Sequence, residues 1–454
     1  MKDKLSIKDY IYISCMLFGM FFGAGNLIFP MHMGQLAGSN FWSALFGFLI
    51  TGVGLPLLGV AALGISRSNG LFDLASKVSK KYSLFFTCLL YLTIGPFFAI
   101  PRCATTAFTV GIQQILPTDA NSDLYLFIFS LIFFICALFF SLKPNKILVW
   151  VGKVLTPSFL TFLGILLIAA LLNPSTTVSQ VSAQADYITK PFFTGFLEGY
   201  NTMDALASLA FGIVVVNVIK NLGVKEPKEV AKSTVKAGVL SCLIMAVIYF
   251  AVTLVGVQSR GLFETSENGG IAFAQIALHY LGGVGLFVLA ATVTLACLKT
   301  SVGLITSCSE TFVSLFPKSC SYKVWAIIFS SVSFMIANFG LNDIISYSIP
   351  VLMFLYPLAI TLILLSLFGQ FFDYDRSVFI WTTAFTFVVA LYNFVESLPE
   401  SIFNAISGQT MQYYVLKYLP FSDIGLGWLI PSLIGFSIGL FIHYKNVKIS
   451  KIKA

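Results

Sequence analysis

The residues able to do chemistry are few, and most lie inside apolar runs. Asn26 follows Gly19, Gly23 and Gly25 and precedes Pro30 in SCMLFGMFFGAGNLIFPMHMG. Glu198, Asn201, Thr202 and Asp204 surround Gly199 in GFLEGYNTMDALASLAFG. Thr300 and Ser301 are adjacent hydroxyls next to Lys299, and Arg102 ends the run YLTIGPFFAIPR. Glycine tolerates unwound backbone and proline has no N–H to give a helix, so the first run reads as a discontinuous helix. Gly199 weakens the second run at its polar cluster, where Thr202 or Asp204 can cap a restarted half-helix. Open carbonyls and N–H groups persist in an apolar medium only where they line a protein cavity or hold a ligand. Carbonyl ends suit a small cation, and helix N-termini suit a carboxylate. This is the chemistry of recognition, with no nucleophile and base set up to make bonds.

The elements that carry these residues follow from composition. The chain has 454 residues, 57% apolar and only 10% charged, with 46 Phe and a mean hydropathy of +0.91. Soluble proteins carry about 25% charged residues. These values exclude a disordered chain, a nucleic-acid binder and a disulfide-stapled domain, and they indicate a polytopic membrane protein solvated by lipid. The eight Cys are scattered without a CxxC, and His32, His279 and His443 lack metal-ligand spacing. Phosphate-loop, H-E-x-x-H and nucleophile-elbow patterns are missing, and no polar loop reaches the roughly 50 residues of a small domain. The expectation is a non-enzyme without a cofactor or obligatory protein partner.

A crossing helix needs about 20 apolar residues. Twelve segments qualify: 9–30, 41–64, 84–112, 124–142, 148–172, 193–219, 233–257, 281–309, 324–340, 344–368, 378–395 and 425–444. The formal net charge of +8 fits this topology. With the N-terminus inside, 21 of the 27 Lys and Arg fall on the inner side, only Lys190, Arg260 and Lys417 fall outside, and Arg102, Lys153 and Lys299 lie within spans. That bias sets both termini in the cytoplasm. Segments 69–81 and 400–417 read as interfacial or connecting helices. Spans one and six open two five-helix sets, 9–172 and 193–368, followed by two further helices in 378–444. An odd number of crossings inverts the second set, and paired broken helices in inverted repeats mark a midplane transporter site. Pro96 and Pro101 should kink the span bearing Arg102, which would face the bundle and meet Glu198 or Asp204. For Lys299, snorkelling to the cytoplasmic end is the simplest expectation, with pairing to an acid or a coupling role as alternatives.

Four motifs in order, FGMFFGAGNLIFP (18–30), TIGPFFAIPRCATTAF (93–108), GFLEGYNTMDALASLAFG (195–212) and LACLKTSVGL (295–304), resemble the branched-chain amino acid carrier family, the bacterial leucine–isoleucine–valine cation symporters. The resemblance covers essentially the whole chain. It implies the all-α, twelve-helix fold of the amino acid–polyamine–cation superfamily, with inverted five-helix repeats like those of the sodium–leucine symporter and broken helices one and six. It also implies a bacterial cell membrane location and leucine, isoleucine or valine carried into the cell with Na⁺, the alternative being H⁺-coupled uptake of these or another neutral amino acid. By the same resemblance, the carbonyls of Gly19 and Phe22 with the hydroxyls of Thr300 and Ser301 would hold Na⁺. Ala24, Gly25 and Asn26 with Glu198, Gly199, Tyr200, Asn201, Thr202 and Asp204 would hold the amino acid. Lys299 departs from that pattern as a charged neighbour of the hydroxyl pair, and by their place within spans Arg102 and Lys299 are the candidates for coupling or gating. Phe196, Phe211 and Ile213 are apolar candidates for the side-chain pocket. Asn201→Ala, Asp204→Ala and Ser301→Ala should each impair leucine uptake by reconstituted vesicles with expression intact; normal uptake by all three would refute that site.

Overall fold

The computed structural model describes residues 5–453 except 67, 69, 118–120, 225, 406 and 407. Lys2, Lys4, Arg67 and Lys225, part of the charge bias above, lie outside the described residues, as do single positions of the two interfacial candidates. The described chain is helical. The first half comprises α1 (Ile7–Phe21), α2 (Gly25–Ala37), α3 (Phe41–Leu49), α4 (Leu55–Ile65), α5 (Leu71–Ser76), α6 (Lys80–Leu92), α7 (Ala99–Thr106), α8 (Ser122–Ser141) and α9 (Thr156–Leu172). The second half comprises α10 (Pro191–Glu198), α11 (Asp204–Asn221), α12 (Pro227–Ser259), α13 (Gly269–Leu315), α14 (Tyr322–Ala337), α15 (Leu341–Leu367), α16 (Arg376–Glu396), α17 (Glu400–Ala405), α18 (Gly408–Tyr418) and α19 (Leu429–Lys453).

Among the described residues, nine helical stretches are long and apolar enough to cross a membrane, and α14 is a shorter apolar helix. Two stretches have about twice the length of one crossing. Gly25–Ile65 has 41 residues and Gly269–Leu315 has 47, about 60 and 70 Å at helical rise, twice the hydrocarbon thickness. Each turns at a glycine with positive φ: Gly38 at 46° and Gly282 at 59°. The segment 281–309 expected as one span is therefore the later part of a longer helix, with an arm before Gly282. The proline-rich span breaks as expected, since Gly95 leaves helical geometry (φ −92°, ψ −120°) just before α7 begins at Ala99. Of 69–81, only α5 is a regular helix, with Leu71, Leu74 and Ala75 buried.

Burial ranks the helices. In its most apolar 18-residue window, the α10–α11 stretch is 89% buried, against 33% for α8. The polar-bearing segment is thus the centre of the bundle, and α8 faces lipid. Close backbone approach builds that centre. A Cβ on Gly195 of α10 would lie 2.1 Å from the carbonyl oxygen of Ala44, and one on Gly47 of α3 would lie 2.0 Å from that of Phe192. Gly34 of α2 and Gly256 of α12 meet in the same way. Helices in lipid gain stability from packing at small residues, because lipid tails are as apolar as their side chains.

Gly195→Val would force α10 away from α3, and overpacking costs about 1–3 kcal/mol. It is expected to lower the thermal midpoint of the detergent-solubilised protein, whereas Gly164→Ala, where a Cβ meets nothing within 4 Å, is expected to leave it unchanged.

Candidate functional site

The first break is short. Helix α1 begins at a capping box in which Ser6 Oγ accepts from the Asp9 N–H at 3.2 Å, and it ends at Phe21. Phe22 leaves helical geometry (ψ 89°), and α2 starts at Gly25. Asn26 closes the gap from the far side: its Oδ1 accepts from the Gly23 N–H at 2.8 Å. At the second break, α10 ends at Glu198 and a tight turn covers Gly199–Thr202. Met203 is left-handed (φ 64°, ψ 9°), and α11 starts at Asp204. A non-glycine residue there costs about 1–2 kcal/mol. Thr202 is placed at the restart, with the Asp204 N–H donating to its Oγ1 at 3.4 Å.

One hydrogen-bonded knot joins the two breaks. Asn26 Nδ2 donates to Asp204 Oδ2 and to Tyr249 Oη, each at 2.5 Å, and Tyr249 Oη donates to the same Asp204 oxygen at 2.8 Å. Asn26 and Asp204 are each 1% exposed and Tyr249 fully buried. Buried polar groups persist only when partnered, and a buried carboxylate needs charge-assisted donors. Tyr249 of α12 was missed in the sequence because a lone hydroxyl in an apolar helix gives no spacing signal.

A cavity opens between the breaks. From the first it is lined by Gly23, Ala24, Gly25 and Asn26, and from the second by Thr202, Met203 and Asp204. Arg102, Cys103 and Thr300 add polar groups, and Met20, Phe21, Ile94, Phe211 and Leu304 supply apolar walls. Its volume is only ≈ 30 Å³, well under the several hundred Å³ of an open small-molecule pocket. Phe21 and Phe211 meet across it, with ring centroids 5.5 Å apart.

Several expected residues lie elsewhere. Glu198, Gly199, Tyr200 and Asn201 belong to the second break but do not line the cavity. Asn201 Nδ2 donates to Glu198 Oε2 at 3.2 Å. The Tyr200 ring stacks on Tyr356 at 4.1 Å, and its carbonyl accepts from the Tyr356 hydroxyl. A Cβ on Gly199 would lie 2.0 Å from Thr51 Oγ1, so its lack of a side chain serves packing. Of the apolar candidates, Phe211 lines the cavity. Phe196 packs on Tyr200 at 5.5 Å, and Ile213 lines a separate hollow with Tyr91 and Asp73.

Lys299 does not snorkel. It is fully buried, and its Nζ donates to the Gly19 carbonyl at 3.1 Å and to the Phe22 carbonyl. The Phe159 ring lies 4.3 Å from the ammonium, with Phe18 and Phe22 further off. Thr300 Oγ1 donates to the same Gly19 carbonyl at 3.3 Å. Ser301 is buried and does not reach these carbonyls. The position expected for Na⁺ is filled by an ammonium from the chain itself, because the open end of α1 presents carbonyls to which Lys299 can donate. Arg102 reaches the cavity beside Asp204 without pairing to it, and Glu198 lies outside. Thus Asn201→Ala and Ser301→Ala lose their basis as cavity variants, while Asp204→Ala keeps it.

Asn26→Ala would leave the Gly23 N–H and the Asp204 carboxylate short of partners, a loss of about 1.5–3 kcal/mol for a hydrogen bond to a charged group. A thermal-shift comparison should place its midpoint clearly below that of Tyr249→Phe, which keeps the Asn26–Asp204 bond; the reverse order would remove Asn26 from the centre of the knot.

A family profile described as branched-chain amino acid transport protein matches residues 6–446. The branched-chain amino acid permease BrnQ of Lactobacillus delbrueckii subsp. lactis is 54% identical over 439 residues, 96% of this chain and 97% of that protein. BrnQ of Bacillus subtilis (strain 168) is 41% identical over 450 residues, 99% of this chain and 100% of that protein. Among solved structures, Mhp1, a nucleobase-cation-symport-1 family transporter in a closed conformation with bromovinylhydantoin bound, aligns with a TM-score of 0.60 at 15% identity, covering 96% of this chain and 93% of that one. MhsT in complex with L-phenylalanine aligns with a TM-score of 0.55 at 15% identity, covering 98% and 99%. At that identity the likeness is one of fold alone, an all-α membrane architecture shared with transporters. The match along nearly the full length, with high identity to two permeases, makes this chain a member of the branched-chain amino acid transport protein family.

Proposed function

We propose that the chain carries leucine, isoleucine and valine into a bacterial cell by cation-coupled secondary transport through alternating access. The observation that supports this best is the meeting of two helix breaks, Phe22–Ala24 and Gly199–Met203, at one buried cavity. The family and the two permease relatives supply the substrate class. The chain would cross the membrane twelve times with both ends in the cytoplasm. Spans one to five (9–172) and six to ten (193–368) would form inverted repeats, and 378–444 would add two helices. Substrate would dock between the breaks once the aromatic walls part, and rocking of the bundle would expose it to the other side.

The apolar walls explain a preference for branched aliphatic side chains. Each buried CH₂ is worth about 0.8 kcal/mol, so leucine gains about 2 kcal/mol over alanine, or roughly 30-fold, while leucine and isoleucine differ little. Competition against labelled leucine should therefore rank isoleucine and valine near leucine and alanine far below.

Two coupling ions fit this reading. Na⁺ would use the Gly19 and Phe22 carbonyls with Thr300. H⁺ is favoured by one observation: those carbonyls already hold the Lys299 ammonium. Leucine accumulation in sealed proteoliposomes, with Na⁺ and H⁺ gradients imposed separately, decides the matter. Uphill accumulation on the H⁺ gradient alone is expected, with Lys299→Met losing at least about tenfold, the scale of a charged buried partner. Accumulation driven by Na⁺ alone would assign coupling to Na⁺, and no accumulation under either gradient would end the symport reading.

A further inference from the structure

The cavity contains a cation to which the fold offers no hydrogen-bond acceptor among the described residues. Arg102 is 6% exposed and reaches the cavity from α7. Among the described residues its guanidinium has the Phe29 ring, 5.7 Å away, and no hydrogen-bond acceptor. It lies over the start of α2, where a Cβ on Gly25 would come within 3.2 Å of its Nη2. The first N–H groups of a helix have no acceptor within the helix, so guanidinium and helix start converge on one spot. A buried charge without a counterion is strongly unfavourable, and a helix N-terminus favours an anion.

The opposite charge is near but turned elsewhere. Asp204 lines the same cavity, and both donors that reach its carboxylate, from Asn26 and Tyr249, land on Oδ2. Among the described residues, the Thr202 hydroxyl is the one other donor beside the carboxylate, and it also donates to the Gly199 carbonyl at 2.9 Å. The cavity thus carries an unused fork of donors on one side and, on the other, a carboxylate with room for a further donor.

We propose that Arg102, together with the N-terminus of α2, receives the carboxylate of the transported amino acid, and that the Asp204 carboxylate receives its ammonium. Arg102 is then a substrate-binding residue, distinct from the coupling or gating part suggested by its place in the sequence. A planar guanidinium matches a carboxylate through two parallel hydrogen bonds, a geometry that lysine does not reproduce. A Cβ on Gly25 would crowd the Phe29 ring at 3.0 Å and the guanidinium at 3.2 Å, so glycine keeps the approach to the helix start open. The kinked span serves the same end: the break at Gly95 starts α7 afresh at Ala99 and carries Arg102 inward.

The proposal rests on the uptake reading, and its test separates the two. The full-length protein is purified, and binding of labelled leucine is measured in competition with leucinol, which lacks the carboxylate, and with the keto acid of leucine, which lacks the ammonium. Arg102→Gln is expected to weaken leucine binding by about tenfold or more, abolish competition by the keto acid and leave leucinol within about twofold of wild type. Arg102→Lys should recover part of the leucine binding. Asp204→Asn should show the mirror pattern, weakening leucinol and sparing the keto acid. Equal loss of leucine and leucinol in a monodisperse Arg102→Gln protein would make Arg102 structural and overturn the assignment, as would unchanged leucine binding. If wild type binds no leucine at all, the uptake reading fails first and takes this assignment with it.

Discussion

A single carboxylate holds this structure together at its centre. Asp204 starts α11, accepts from Asn26 of α2 and from Tyr249 of α12, and so fixes the relative positions of two interrupted helices and a third that braces them. Asn26 has two duties, since its Oδ1 also satisfies the Gly23 N–H within the first gap. In hydrocarbon the alternative to these bonds is an unsatisfied polar group, which costs several kcal/mol. The knot is therefore what allows both helices to stay broken inside an apolar bundle.

The strain around it is local and compensated by packing. Met203 sits in left-handed backbone next to a 3-10 turn, conformations a helix would not choose. The stack of Tyr200 on Tyr356 and the bond from the Tyr356 hydroxyl to the Tyr200 carbonyl hold that turn from the α15 side. Contacts between glycine-bearing faces, Gly47 with α10 and Gly34 with α12, bring neighbouring backbones close enough to exclude lipid. The breaks that line the cavity are set in a well-buried part of the bundle, and the lipid-facing helices such as α8 stay continuous.

Charge is distributed by the same logic. Lys299 closes the open carbonyl end of α1 with its ammonium, backed by the Phe159 ring. Arg102 stands at the opposite kind of terminus, the start of α2. A cation at a helix C-terminus is favourable, whereas one at a helix N-terminus opposes the dipole. One buried cation is thus bonded to carbonyls of the fold, and the other has no hydrogen-bond acceptor among the described residues.

The sequence alone determined that the chain is an all-α polytopic membrane protein and where two of its helices break, because burial in lipid and loss of helical hydrogen bonds depend on local composition: apolar runs, Gly19 to Gly25 with Pro30, and the polar cluster at Gly199. It also named Asn26, Thr202, Asp204, Thr300 and Arg102 as site candidates, since polar groups in apolar runs are costly wherever they lie. Only the tertiary structure decided which of them share the cavity. Glu198 and Asn201 are three residues apart and satisfy each other outside it; Tyr249 joins from a helix with no local signal; Lys299 turns toward Gly19, 280 residues away. Side-chain direction depends on which backbone passes nearby, and that is a property of packing between distant segments, which spacing along one chain does not contain.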